Sequence, residues 1–174
     1  TIGALLSAGA KKAGFAAGIR VVVLGMFALN LDWTITLAIL AVFTMTIGNF
    51  GALIQRSLPR ILAYSSIAQA GYILIGMAVA PYSDQALPGS LFQIFNHAIM
   101  KSTGFIAAAA VATALASYGL EKYRGLGYRM PITAIALTIS LLALAGVPPL
   151  NGFWGKLVIF GAAIDSSAYV WWGP

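Results

Sequence analysis

Apolar residues along this chain come in runs of about 20, parted by short polar breaks, and that spacing predicts helices that cross a membrane. Five crossings are expected, over approximately 4–29, 33–55, 60–80, 91–116 and 131–164. The last is too long for one straight helix. "GVPPLNG", Gly146 to Gly152, falls inside it, and its two prolines lack the N–H that a continuous helix needs. The expected fold is an all-α integral membrane protein, a polytopic helix bundle with at least five crossings, the last discontinuous. The 174 residues read as a single transmembrane domain. They start at Thr1 in what already reads as helix and end on the aromatic "VWWGP", which suggests an internal fragment of a longer subunit.

Composition sharpens this picture. Hydrophobic residues make up 60% of the chain and charged residues 8%, and the mean hydropathy is +0.91, outside the range of soluble domains. There is no cysteine, so neither a disulfide framework nor a thiolate-held metal or iron–sulfur cluster is available, and electrons must travel elsewhere. A net charge of +6 raises nucleic acid as a partner, but no clustered basic face supports it. The breaks at 30–32 and 81–90 hold Asp32 and Asp84 and no basic residue, whereas 56–60 and 117–130 hold Arg56, Arg60, Lys122, Arg124 and Arg129. That split predicts a cytoplasmic position for the loops 56–60 and 117–130 in a multi-pass protein of the cytoplasmic (inner) membrane.

Lys11, Lys12, Arg20, His97, Lys101 and Lys156 all fall within or close to the spans, where a charge at the helix centre costs at least about 2.5–3.5 kcal/mol. Lys12 and Arg20 can snorkel to an interface. Lys101 cannot, because it lies roughly 15 Å from either face. All four acids, Asp32, Asp84, Glu121 and Asp165, lie in or beside loops, so no intramembrane carboxylate is available to pair with the lysines. Either carboxylates from other segments pair with them, or burial leaves them neutral part of the time; both states suit a proton relay. His97 and Lys101 stand at i and i+4, sharing a helix face that Gln93 extends by a turn, and Ser65, Gln69 and Tyr72 form a second stripe in the preceding span. Polar contacts between helices would explain serine and glutamine alone, but the ionisable pair favours an ion or proton path. The single histidine has no second ligand at metal spacing, and no nucleotide loop or nucleophile elbow is present.

Three stretches give this pattern a family. "GNFGALIQRSLPRILAYSSIAQAGYILIG", Gly48 to Gly76, resembles the signature of the antiporter-like subunits of respiratory complex I, and "LAGVPPLNGFWGKLVIF", Leu144 to Phe160, resembles their broken-helix signature. "SAGAKKAGFAAGIRV", Ser7 to Val21, is similar to the helix bearing that family's central lysine. The tyrosine-serine-serine version with GFWGK is most similar to the N-type subunit, called subunit 2 in mitochondrial and chloroplast-type complexes. The resemblance implies that Lys11, four residues before Phe15, is the central lysine, with Lys12 an adjacent substitute. It implies that Lys156 is the terminal lysine beside the break, and that His97 and Lys101 connect the two.

Two departures from the family stand out. Pro59 replaces a lysine common before the arginine that opens this helix, and Gln69 stands where relatives often carry a histidine, so it can hold water but cannot titrate. The glutamate–lysine pair of the family's earlier helices is absent.

The function implied is proton translocation in the membrane arm of a redox-driven NADH (or other reduced-cofactor):quinone oxidoreductase. Flavin, iron–sulfur clusters and quinone would belong to partner subunits in a peripheral redox arm and the membrane arm, with none in this chain. The rivals are a subunit of a multisubunit sodium/proton antiporter or membrane-bound hydrogenase, a purely structural helix bundle, and an independent solute carrier.

Overall fold

A computed structural model describes residues 2–5, 9–26 and 33–166. Asp32 and the aromatic end at 170–174 lie outside the described residues. The described chain is helical: α1 (Ile2–Leu5), α2 (Lys11–Arg20), α3 (Thr34–Leu53), α4 (Leu58–Ala78), α5 (Ala86–Leu115), α6 (Leu126–Arg129), α7 (Pro131–Ala145) and α8 (Asn151–Asp165). The wider turns of a π-helix continue α2 over Val21–Met26, and a 3₁₀ turn spans Leu120–Tyr123. Three helices, α3, α4 and α5, are long and apolar enough to cross a membrane.

Local chemistry sets these boundaries. Pro59 and Pro131 sit in the first turns of α4 and α7, where the missing N–H would have no intrahelical partner. Helix α5 starts at Ala86, earlier than the apolar run alone suggests, because Pro88 is equally harmless in a first turn. The stretch 117–130, which reads as a polar break, carries the 3₁₀ turn and α6.

Helix α5 is the axis of the bundle and packs against α4, α7 and α8, while α3 packs along α4. The main core joins Leu58 and Leu62 of α4 to Met100, Ala107, Ala108 and Val111 of α5 and to Leu137, Ala143 and Leu144 of α7. On its other side α3 leaves Ile39, Phe43, Ile47 and Phe50 exposed, as a membrane helix does.

The two basic breaks meet at one end of the bundle. Leu58 N donates to the Tyr118 carbonyl (3.3 Å) and Leu120 N to the Arg56 carbonyl (3.1 Å), with Ser57 and Gly119 paired between them. The two basic breaks therefore share one end of the bundle, and the break holding Asp84 joins α4 to α5 at the other. At this basic end the Tyr123 ring packs against the main core, and burial pushes its phenol pKa up.

The discontinuity falls where the prolines put it. Helix α7 has 15 residues, a length of about 22 Å, and so stops short of a hydrocarbon layer about 30 Å thick. Gly146 ends it in the left-handed region (φ 88°), with Gly146 N on the Leu142 and Ala143 carbonyls and Val147 N on Leu142, the hydrogen-bond pattern of a glycine-capped C-terminus. Pro148 and Pro149, joined by a cis peptide bond, and the extended Leu150 lead into α8.

Helix α8 then returns close to α7, and Gly152 permits the approach. A Cβ there would strike the Ala143 backbone carbonyl and the Met100 sulfur, neither of which is the free end of an exposed chain. Gly152→Ala should destabilise the protein by about 1–3 kcal/mol through overpacking. Gly161→Ala, with open space around its new methyl group, should be close to neutral. Thermal or denaturant unfolding of the two variants in detergent measures the difference.

Candidate functional site

The end of α7 sets the first requirement of the site. A helix leaves its last carbonyls without intrahelical partners, and buried carbonyls need donors. The glycine cap covers Leu142 and Ala143, leaving Leu144 and Ala145. Lys156 meets both, donating from Nζ to the Leu144 carbonyl (3.0 Å) and the Ala145 carbonyl (3.2 Å). Its position in the second turn of α8 explains the reach, since helical side chains lean toward the N-terminus and so back across the break. The ammonium also faces the negative end of the α7 dipole and lies 5.0 Å from the centre of the Tyr72 ring.

Across from this break the two polar stripes face each other. Gln93 Nε2 donates to Gln69 Oε1 (2.8 Å), and Gln69 Nε2 donates to the Leu144 carbonyl that Lys156 also uses (3.1 Å). One helical turn further along α5, His97 is buried at 1% exposure. Another turn on, Lys101 is completely buried and is the bulkiest side chain so enclosed among the described residues. Its Nζ donates to the Leu62 carbonyl and Ser65 Oγ of α4 and lies 5.9 Å from the Phe105 ring centre. A cavity of about 260 Å³ adjoins this region, lined among others by Asn49, Ser65, Gln69, Tyr72 and Lys156. Several waters fit in that volume, and its polar lining supplies partners for them.

The lysine pair of α2 divides by helix geometry, because neighbouring residues on a helix point about 100° apart. Lys12 is buried and its Nζ is hydrogen-bonded to His97 Nδ1, whereas Lys11 is exposed. The motif match makes Lys11 the central lysine; in the structure Lys12 is the member that joins the site. Lys12 also lies 5.9 Å from the Phe15 ring centre. When a protonated Lys12 donates to Nδ1, neutral His97 carries its own hydrogen on Nε2, an atom that is buried with no hydrogen-bond partner among the described residues.

All the sequence-predicted residues except Lys11 thus converge: Lys12 with His97, Lys101 with Ser65, and Lys156 with Gln69 and Tyr72. Sequence reading missed Asn96, whose Nδ2 donates to the Asn151 carbonyl at the start of α8 (3.0 Å). Its signal was available, since Asn96 is an amide three residues after Gln93 within an apolar run.

Residues 1–173 match the family model described as NADH:quinone oxidoreductase/Mrp antiporter, TM. The chain belongs to this family. It is 45% identical over 174 aligned residues to F(420)H(2) dehydrogenase subunit N of Methanosarcina mazei, covering 95% of this chain and 35% of that protein. Similarity to NADH-quinone oxidoreductase subunit N of Trichlorobacter lovleyi is 41% identity, covering 97% and 34% of the two chains. Among solved structures, a chain of the membrane-bound sulfane sulfur reductase, an archaeal respiratory membrane complex, superposes with a TM-score of 0.81 at 36% identity, over 92% of this chain and 33% of that one. The chain spans about a third of the length of the curated relatives it matches. These relatives are subunits of membrane oxidoreductases, and the chain shares with them an all-α, multi-pass membrane architecture.

Lys101 offers a direct test of how such a site is held together. Its acceptors are a helix carbonyl and a serine hydroxyl, both of which also belong to the α4 hydrogen-bond pattern. Lys101→Met keeps the volume and removes the buried charge, so stability should be unchanged or raised by about 1–2 kcal/mol. Lys101→Ala should cost about 2–5 kcal/mol by leaving a cavity. Equal losses in unfolding experiments on the two variants would mean that the charge itself holds the fold.

Proposed function

We propose that this chain is the lysine-bearing part of a proton-translocating subunit in a redox-driven membrane complex that oxidises NADH or another reduced cofactor and reduces a quinone. On this reading flavin and iron–sulfur clusters reside in partner subunits of a peripheral arm, and other membrane-arm subunits flank this one. The complex lies in the cytoplasmic membrane, with the loops 56–60 and 117–130 on the cytoplasmic side.

The observation that supports the reading is that, among the described residues, the hydrogen-bond partners of Lys12, Lys101 and Lys156 are neutral groups. Lys12 donates to an imidazole nitrogen, Lys101 to a carbonyl and a hydroxyl, and Lys156 to two carbonyls. A carboxylate partner would hold the proton in a fixed charge pair. Neutral dipoles solvate an ammonium and also tolerate the amine, so each lysine can change state in place.

The steps follow from the donors and acceptors. Lys12 passes a proton to His97 Nδ1, and the imidazole releases its Nε2 hydrogen toward Lys101, one turn along α5. Histidine suits this transfer because it can gain a proton at one nitrogen and lose one from the other. Lys101 hands its proton through Ser65 Oγ to water in the cavity, and Lys156 takes it up at the far wall. The half-helix end beside Lys156 supplies the negative dipole that favours the arriving charge. Release from Lys156 completes the transfer toward the outer face. A hydroxyl passes protons by accepting one and donating another, which a glutamine amide does not do, so Ser65 carries the transfer and Gln69 holds water beside it.

The test uses the intact complex in sealed vesicles, with proton uptake measured per electron delivered to quinone. Lys156→Met and Lys12→Met should each lower proton uptake per electron by at least a few-fold, and Lys11→Met should change it much less. An unchanged ratio in Lys156→Met would remove Lys156 as the terminal site. If Lys11→Met, and not Lys12→Met, abolished uptake, the motif-matched lysine would be the entry point instead.

A further inference from the structure

Two buried amides on α5 take no part in that transfer. Gln93 and Asn96 are 0% and 3% exposed and stand three residues apart on one face of the helix. Packing alone would be better served by leucine or methionine, because a buried amide is costly unless its hydrogen bonds are made. Each side chain donates toward the broken helix, and they reach opposite sides of the break. Asn96 Nδ2 bonds the Asn151 carbonyl in the first residue of α8 (3.0 Å). Gln93 Nε2 bonds Gln69 Oε1, and Gln69 Nε2 bonds the Leu144 carbonyl in the last turn of α7 (2.8 and 3.1 Å).

We propose that Gln93 and Asn96 are positioning residues that clamp the two half-helices, holding the Leu144 and Ala145 carbonyls where the Lys156 ammonium meets them. The clamp belongs to the same turn of α5 as His97, which Lys12 engages. A change of charge at Lys12 and His97 therefore acts on the turn that holds the cradle of Lys156. The link transmits position and not protons. Gln93 donates through its nitrogen, and Gln69 accepts at its oxygen and donates from its nitrogen, an order that neutral amides keep, so the pair is a strut beside the hydroxyl and water route. This role rests on the proton-translocation reading for its purpose, although the clamp itself is a statement about the break.

The intact complex, reconstituted in vesicles, tests it with two independent readouts. Gln93→Met and Asn96→Leu keep most of the volume while removing the donors, and Thr113→Val, at an exposed site whose hydroxyl bonds only its own helix, serves as the control. Hydrogen–deuterium exchange of the backbone amides from Gly146 to Phe153 should speed up about three- to tenfold in each amide variant and not in the control. Gln69→Leu combined with Gln93→Met should add little to Gln69→Leu alone, because they cut the same strut, whereas Asn96→Leu should add its own effect.

Proton uptake per electron should fall in the amide variants while electron delivery to quinone persists. A role limited to general stability would not produce that split. Exchange at the break that stays at the control level in both assembled amide variants would overturn the clamp. Faster exchange together with an unchanged ratio in Lys156→Met would leave the clamp standing and remove the transport reading.

Discussion

Two backbone carbonyls that no helix continues to satisfy organise the site. Gly146, Pro148 and Pro149 interrupt the chain between α7 and α8, and the Leu144 and Ala145 oxygens are left without intrahelical partners. Among the described residues, the Lys156 ammonium and the Gln69 amide supply the donors. Each solves a second problem in doing so. Lys156 gains two carbonyl acceptors and the negative end of a helix dipole, and Gln69 orders its oxygen toward Gln93. A broken helix and a buried lysine are each expensive in a membrane, yet together they satisfy one another.

The same economy of acceptors recurs along α4 and α5. Their facing stripes pair in antiparallel order, Ser65 with Lys101 and Gln69 with Gln93, with the carbonyl of Leu62 as a further acceptor. The pairing separates two kinds of group. Ammonium, imidazole and hydroxyl groups can each lose one proton and gain another, and they lie along a line from Lys12 to the cavity. The amides cannot, and they tie that line to the halves of the broken helix. On the proposed reading, proton-carrying groups and fixed amides lie side by side and meet at the Leu144 carbonyl, which Gln69 and Lys156 both bond.

Much of this was legible in the sequence. Apolar run length marked α3, α4 and α5, because spanning a membrane leaves few alternatives for a backbone, and the proline pair marked the break to within a residue, whereas the first expected crossing, 4–29, lies partly outside the described residues. Spacings of three and four placed Ser65, Gln69 and Tyr72 on one stripe and Gln93, His97 and Lys101 on another. What remained hidden needed a partner helix. Lys11 and Lys12 are indistinguishable as types, and only the rotation of α2 against α5 selects Lys12. Asn96 was overlooked because its reason for being there is a carbonyl 55 residues away in the chain. The hydrogen on His97 Nε2 could not be inferred without knowing what occupies Nδ1. Helix starts were read a few residues late at α5 because proline in a first turn looks, in sequence, like a loop.

Neutral acceptors also decide how such a site responds to events at a distance. A charge about 10 Å from a lysine, at an effective dielectric of about 20, changes the free energy of its protonation by roughly 1.7 kcal/mol. That exceeds the 1.4 kcal/mol that separates tenfold populations. A carboxylate beside each lysine would oppose much of that effect, since the proton would have to leave a charge pair. Lysines held by carbonyls, a hydroxyl and an imidazole keep no such counter-charge among their hydrogen-bond partners. On the proposed reading, protonation passes from one to the next under the field of a neighbour. On that reading the helices need only hold their dipoles in place while it does.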